Sequence, residues 1–549
     1  MAKPWQDIAR TKQQARLAAI PPHWILDGSI KPGPSVQDVQ DFPRASGFFT
    51  TEELSITEAT ASEVVANIAH RKWTAVEVIK AVSKRAAVAQ QLVNCLTEIY
   101  FEQALKRAEE LDAYQVREDR TVGPLHGLPI SFKDQFNLKG VDSTIGYISY
   151  VGKPATEDST LVTLLVKAGA IPYVKTNVPA TLMMGETVNN LFGRTVNPRN
   201  RKLTSGGSSG GESALVSFCG SYIGVGTDIG GSIRDPCNFT GLFGLRPSQG
   251  RVSYQHVVNT YVGQDAVKSA AGPMCRSPAD IRLFMSTLAA QKPWLHDPAC
   301  LPIPWRTEEE KVPTELCFGI AVGDGYVNSS PPLRRAIAIT RSKLEAAGHK
   351  VIDFVPHEGV EALDIVQKMW SADGGAEFQR DTDASGEPLH PHLESWAGHS
   401  ANVKPQTVEE MWANQQRRNV LARKWLDHWQ GTVAETGNGR PIDGLIMPST
   451  PFPAIRHDVR YSWHYGHLAP LLDLTTGVFP VTKVDVEKDQ IPDDWQPLSD
   501  KDRELMEYYE KPENHVNSPV GLALYGRRLE EEKVTAMLQV IHEVVGVDY

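Results

Sequence analysis

The stretch TSGGSSGGESALVSFCGSYIGVGTDIGGSIRDP, from Thr204 to Pro236, constrains this chain more than any other. Glycines strip side chains from the backbone and let another group approach it closely. Here they wrap two serines, Ser208 and Ser232. The pattern inside the block reads as a loop, a helix over Glu212–Phe218, a strand over Ile223–Gly226, and a tight glycine loop. Upstream, Lys133 stands in GLPISFKDQF, a strand-like segment. Two glycine-wrapped serines and a lysine that could be buried suggest nucleophilic catalysis without histidine.

The same helix–strand alternation recurs on both sides of the block. Residues 5–18 read as a short amphipathic helix, followed by an extended Pro/Gly/Asp-rich arm over 27–46. Thr74 with Glu77 forms a capping box that starts a helix carrying Val78, Ile79 and Val82. Residues 101–115 read as helix, 127–132 as strand, 159–170 as helix and 171–176 as strand. Further on come strands at 316–322, 350–355, 443–448 and 519–526. Helices are expected over 332–348 and from the last strand to about Val545. Such alternation predicts an α/β layer. Two polar stretches, 380–405 and 485–517, read as surface excursions, and no internal repeat is visible.

Bulk properties narrow the classes. The 549 residues are 41% hydrophobic and 22% charged, as in ordinary globular proteins. A net charge of −10 argues against a nucleic-acid partner, which requires a basic face. Six cysteines without CxxC spacing argue against a disulfide framework. The charged start MAKPWQDIARTKQQARLAAIPPHW lacks the apolar region of a signal peptide. No run of about 18 apolar residues predicts a membrane span. A cytosolic (cytoplasmic) protein is the expectation.

Each candidate residue has a plain alternative. Gly206-Gly207-Ser208-Ser209-Gly210 satisfies the G-x-S-x-G elbow of α/β-hydrolases. It also suits a turn that caps the following helix. The elbow needs a downstream acid and histidine, and no histidine stands in such a motif. A phosphate cradle is disfavoured, because Glu212 occupies the place of the P-loop lysine and would repel phosphate. Before Ser232, consecutive glycines can point N–H groups into one concavity suited to a developing oxyanion. They equally suit a turn. Lys133 is either a surface lysine paired with Asp134 or a buried, neutral base. The pairs His390/His392 and His464/His467 lack HExxH spacing, so a metal site is disfavoured.

The block GGSSGGESAL followed by GVGTDIGGSIRDP, with the lysine of GLPISFKD upstream, resembles the amidase signature family. YVKTNVPATLMMGETVNNLFGRTVNPRN, GLFGLRPSQGRVS and PVGLALYGRRLEEEKV extend the resemblance over about residues 55–549, after an arm over 1–54. The arm and AVAQQLVNCLTE look most like fungal acetamidases and general amidases. The resemblance implies one α/β catalytic domain with a large mixed sheet sandwiched between helices.

It also implies roles. Ser232 would be the acyl nucleophile, Ser208 the bridging serine after a cis peptide at Gly207, and Lys133 the terminal base. The N–H groups of Ile229, Gly230, Gly231 and Ser232 would hold the oxyanion. Leu182 would line the carbonyl pocket through its backbone. Ser209 and Arg234 would hydrogen-bond around the triad, with Thr227 and Asp228 bracing the oxyanion loop. Ser213 stands where relatives often have glycine, and Asp235 and Cys237 where residues are often apolar or small. The implied reaction is hydrolysis of a small-molecule carboxylic amide to carboxylate and ammonia or amine, through an acyl-enzyme, without metal or organic cofactor. A glutamine-dependent amidotransferase subunit and a non-catalytic ligand-binding scaffold are the alternatives. A homodimer is expected from family habit alone.

Overall fold

A computed structural model describes residues 4–356, 358–393, 404–459 and 465–547. Eleven strands among them pair into one sheet. They are β1 (Leu96–Ile99), β2 (Pro129–Lys133), β3 (Ile171–Thr176), β4 (Ile223–Asp228), β5 (Phe243–Arg246), β6 (Ala270–Cys275), β7 (Cys317–Ile320), β8 (Lys350–Asp353), β9 (Gly444–Met447), β10 (Thr476–Lys483) and β11 (Pro519–Tyr525). Their order across the sheet is β1-β3-β2-β4-β6-β5-β10-β11-β9-β7-β8. β2 runs parallel to β3 and β4, and β7 parallel to β8 and β9. The other neighbours are antiparallel.

Successive side chains of a strand face opposite ways, so a sheet covered on both faces reads as a continuous apolar run. β11 shows this directly. Leu522 and Leu524 enter one core, while Ala523 and Tyr525 enter the other. The first core is closed by the helices Ala75–Val93, Pro278–Ala290, Pro331–Ala346 and Glu531–Val545. The second is closed by Arg234–Thr240, Gly359–Trp370 and Val408–Gly431. This is the mixed sheet between helices that the resemblance implies. Full burial of each such leucine contributes about 1.5–3 kcal/mol.

Local signals hold where they are strong. Thr74 Oγ1 accepts from Glu77 N at 3.1 Å, and Glu77 Oε2 accepts from Thr74 N at 2.8 Å. The helix they start ends at Asn94, in the left-handed region. The amino-terminal helix Trp5–Ala18 is fastened to the sheet edge: Lys12 Nζ reaches Glu98 at 2.5 Å and Asp142 at 2.8 Å. The helix Thr51–Glu58 spans the expected boundary between arm and domain.

The polar stretches are more than excursions. Residues 485–517 hold the helix Asp500–Tyr509, and Asp489, Asp502 and His515 are buried. Asp502 accepts from Asn328 N and Nδ2 at 2.9 and 2.7 Å, and Arg335 pairs with Asp489 at 2.7 Å. Polar composition hides burial when every polar group finds a partner. Likewise Glu387 is buried and accepts from Ile148 N at 2.7 Å. Residues 394–403 of the first stretch lie outside the described residues.

Candidate active site

The site is assembled at the ends of β2 and β4. On β2, Ser131 and Lys133 share a face, and Gln135 continues it beyond the strand. Asp134 faces away, accepting from Thr97 Oγ1 at 2.6 Å, Thr144 Oγ1 at 2.9 Å and Ile145 N at 2.8 Å. The reading of Lys133 as a surface lysine paired with Asp134 is therefore overturned, since strand alternation separates the two. Lys133 is fully buried, and its Nζ lies 2.6 Å from Ser208 Oγ and 2.8 Å from Thr227 Oγ1.

Proton counting orients this cluster. The Val258 carbonyl can only accept, so it fixes Gln135 Nε2 toward itself at 3.0 Å. Gln135 Oε1 then faces Thr227 and accepts its hydroxyl proton at 2.6 Å. Thr227 has no second proton, so its Oγ1 must accept from Lys133 Nζ. One lysine N–H is thereby anchored, on a line that leads away from Ser208.

Burial lowers the Lys133 pKa to about 7, against the opposing pull of Asp228 and Glu212. Glu212, read in the sequence as a helix start and as a charge that repels phosphate, is fully buried near the lysine. Burial pushes its carboxyl up to about 8, although Ser131 Oγ at 2.5 Å and Thr176 Oγ1 at 2.8 Å hydrogen-bond to it.

Ser208 sits in the loop entering the helix Gly210–Ser217, which starts two residues before the expected Glu212. The Gly207–Ser208 peptide is cis. Gly207 can be nothing larger, because a Cβ there would lie 2.2 Å from the Met184 carbonyl oxygen. Ser209 ties this loop to the second one. Its N–H donates to the Ser232 carbonyl at 3.2 Å, and its hydroxyl accepts from Thr227 N at 3.3 Å.

The second loop folds around Asp228. That carboxylate accepts from Gly231 N at 2.9 Å, Ile233 N at 3.1 Å, and Arg234 Nε and Nη2 at 2.9 Å each. Burial raises its pKa, but the Arg234 guanidinium more than offsets this, and the net shift is downward. Arg234 Nη2 also donates to the Gly466 carbonyl at 2.6 Å. The geometry corrects one expectation: the Gly231 N–H is committed to the buried carboxylate and is not free for an oxyanion. The N–H groups of Ile229, Gly230 and Ser232 have no acceptor among the described residues.

Two adjoining cavities meet at Ser232, each about 10 Å³, which is room for about one water. Leu182, Met183 and Ile229 border both. The first adds Ser208, Thr227, Asn259, Thr260 and Ser269. The second adds Met184, Gly207, Gly230, Gly231, Asp235 and Trp370. Leu182 holds a positive φ of 65° at this border. Trp370, given no role in the sequence reading, covers the oxyanion loop so closely that a Cβ on Gly230 would meet its ring at 2.8 Å.

Other residues fall away from the chemistry. Ser213 Oγ donates to the Ser205 carbonyl at 2.8 Å, and Cys237 is buried with Sγ 3.6 Å from the Phe243 carbonyl. His390 and His392 pack ring to ring, and His467 is buried beside the helix Leu468–Leu472. His464 lies outside the described residues. Among the described residues, no cluster of three metal-ligating side chains occurs, and no helix is long and apolar enough to cross a membrane.

Comparison with known proteins meets this geometry. The Amidase family model matches residues 77–535. A Curvularia clavata protein carrying the amidase name kk1C is 65% identical over 545 residues, 99% of both chains. An Emericella nidulans protein named acetamidase is 41% identical over 552 residues, covering 100% of this chain and 99% of its own. A solved structure named fatty acid amide hydrolase superposes with a TM-score of 0.93 at 35% identity, covering 100% of this chain and 96% of the other.

Proposed function

The chain belongs to the Amidase family, the amide hydrolases, and on that premise we propose that it cleaves short-chain carboxamides through an acyl-enzyme on Ser232. The observation that carries the proposal is the buried Lys133, its pKa lowered to about 7, 2.6 Å from Ser208 Oγ beside the cavity that Ser208 shares with Ser232. A lysine neutral near pH 7 serves as a base where histidine is missing.

Ser232 Oγ attacks the amide carbonyl carbon. Its proton passes to Ser208 Oγ, whose own proton moves to Lys133 Nζ. The carbonyl oxygen becomes an oxyanion, held by the N–H groups of Ile229, Gly230 and Ser232. One such donor contributes about 10²–10³ in rate in other acyl-transfer enzymes. As the C–N bond breaks, Ser208 protonates the leaving nitrogen and recovers a proton from Lys133. Water then attacks the ester through the same relay and releases the carboxylate and Ser232.

Arg234 and Asp228 keep the second loop in shape, while Ser209 holds the two loops together. The acetamidase relative and the fatty acid amide hydrolase suggest opposite acyl lengths. The higher identity to the acetamidase, 41% against 35%, favours the short one.

Ammonia release from acetamide by the purified chain, with no acceptor RNA present, is the test. A fluorophosphonate should mark Ser232, and Ser232→Ala should abolish both readouts. A folded sample that releases no ammonia from any of a panel of amides, or a label found on Ser208 in place of Ser232, overturns the reading.

A further inference from the structure

The two cavities at Ser232 differ in kind. Ser208 hands its proton to the leaving nitrogen, so the cavity it lines receives the amine half. Thr260 and Ser269 make that cavity polar. The acyl chain therefore enters the second cavity, on the other side of Ser232. Its wall is formed by Leu182, Met183, Met184 and Trp370, and its one titratable side chain is Asp235.

Asp235 is an odd residue for an acyl pocket. It is 1% exposed, and among the described residues no cation makes an ion-pair contact with it; the Arg234 guanidinium next to it clasps Asp228 and acts on Asp235 only through space. Its carboxyl is wedged against the oxyanion loop, where a Cβ on Gly231 would come within 2.4 Å of Oδ2. Ser449 approaches it as a hydrogen-bonding neighbour and in turn accepts from Asn238 Nδ2 at 2.6 Å. Oδ1 accepts no hydrogen bond from any described residue. A buried acceptor left in that condition costs about 1–3 kcal/mol.

We propose that Asp235 is the acyl-recognition residue of this site, and that it selects short carboxamides bearing a hydroxyl on the acyl chain. This rests on the amidase reading above. A hydroxyl supplies the donor that Oδ1 lacks and is small enough for the cavity. Burial shifts the carboxyl's pKa upward, which favours the neutral acid, a form that can donate as well as accept. That favours a neutral hydroxyl over an ammonium group, which would demand a buried carboxylate. A pocket built to hydrogen-bond a substrate group rejects the analogue lacking it far more sharply than an apolar pocket rejects an added hydroxyl.

The test compares 2-hydroxyacetamide with propanamide, which differ by OH in place of CH₃. Their ratio of kcat/KM is corrected by their ratio in alkaline hydrolysis. The wild-type ratio should favour the hydroxy amide by at least about tenfold. Asp235→Asn should retain the preference, and Asp235→Val should reverse it. A ratio does not depend on how much of a variant folds. A wild-type ratio at or below one, or an unchanged ratio in Asp235→Val, overturns the proposal while leaving the amidase reading intact. Failure to hydrolyse even acetamide overturns both.

Discussion

Thr227→Val removes one hydroxyl and keeps the shape of the side chain, so it isolates the anchor on Lys133. In the wild type that hydroxyl accepts from Lys133 Nζ at 2.8 Å and donates to Gln135 Oε1 at 2.6 Å. A hydrogen bond to a charged group contributes about 1.5–3 kcal/mol and one to a neutral group about 0.5–1.5 kcal/mol. The ammonium form of Lys133 therefore loses roughly 1 kcal/mol more than the amine. At about 1.4 kcal/mol per pH unit, its pKa falls by a further ~0.7. A base of this kind must be neutral to act, so kcat/KM of the wild type should rise with pH through about 7. In the variant that rising limb should move acidward by ~0.7 unit. The alkaline plateau should also drop, since the lysine has lost the contact that aims it. Ammonia release from subsaturating acetamide between about pH 5.5 and 9 reads both effects. A limb that stays in place or moves alkaline would refute the assigned direction of these hydrogen bonds.

Gln135→Glu puts a negative charge at the far end of the same chain, which should favour the ammonium and move the limb alkaline by about one unit; an acidward move counts against the coupling. Arg234→Ala leaves Asp228 buried without its cation and should cost about 3–5 kcal/mol in urea unfolding, with a large loss of activity. A variant within about 1 kcal/mol of the parent would remove the clamp from the account. Glu212 is protonated in the folded chain up to about 8 but ionises near 4.5 when unfolded, so it stabilises fully below 4.5 and that contribution fades as pH rises to about 8. Glu212→Gln should flatten the decline of stability across that window, and parallel curves for the two proteins would show that the carboxyl is not held neutral.

The strands and helices with strong periodicity or caps were legible, as Thr74 and the strand at 171–176 illustrate. Their order in the sheet was not, because strand neighbours are set by contacts far apart in sequence; the family resemblance supplied the architecture. Ser208 and Ser232 were legible because glycine density marks close approach, whereas Lys133 stood out by its apolar strand-like run and was joined to them by the family resemblance. Gln135 could have been found by stepping two residues along the face of Lys133. Glu212 was missed because a glutamate after glycines reads as a helix start, and its burial depends on Ser131 and Thr176, far off in the chain. Trp370 carried no signal, since the loop it covers is glycine at Gly230 and leaves no side-chain pattern to read. The Gly231 N–H was assigned wrongly because nothing local reveals that the Asp228 carboxylate turns back to take it.

The helix that follows Ser232 rests on β10 and β11, strands from the far end of the chain. Lys133, Ser208 and Ser232 all lie within the first 232 residues, while β11 closes at Tyr525, 293 residues after Ser232. A ribosome adding about 5–20 residues per second needs some 15–60 s to cover that distance. During that time a nascent chain holds all three residues of the proposed relay but not the strands on which the helix after Ser232 rests. Amide cleavage by this protein should therefore require synthesis to run nearly to completion, and chains truncated before β11 should be inert however well their first half folds.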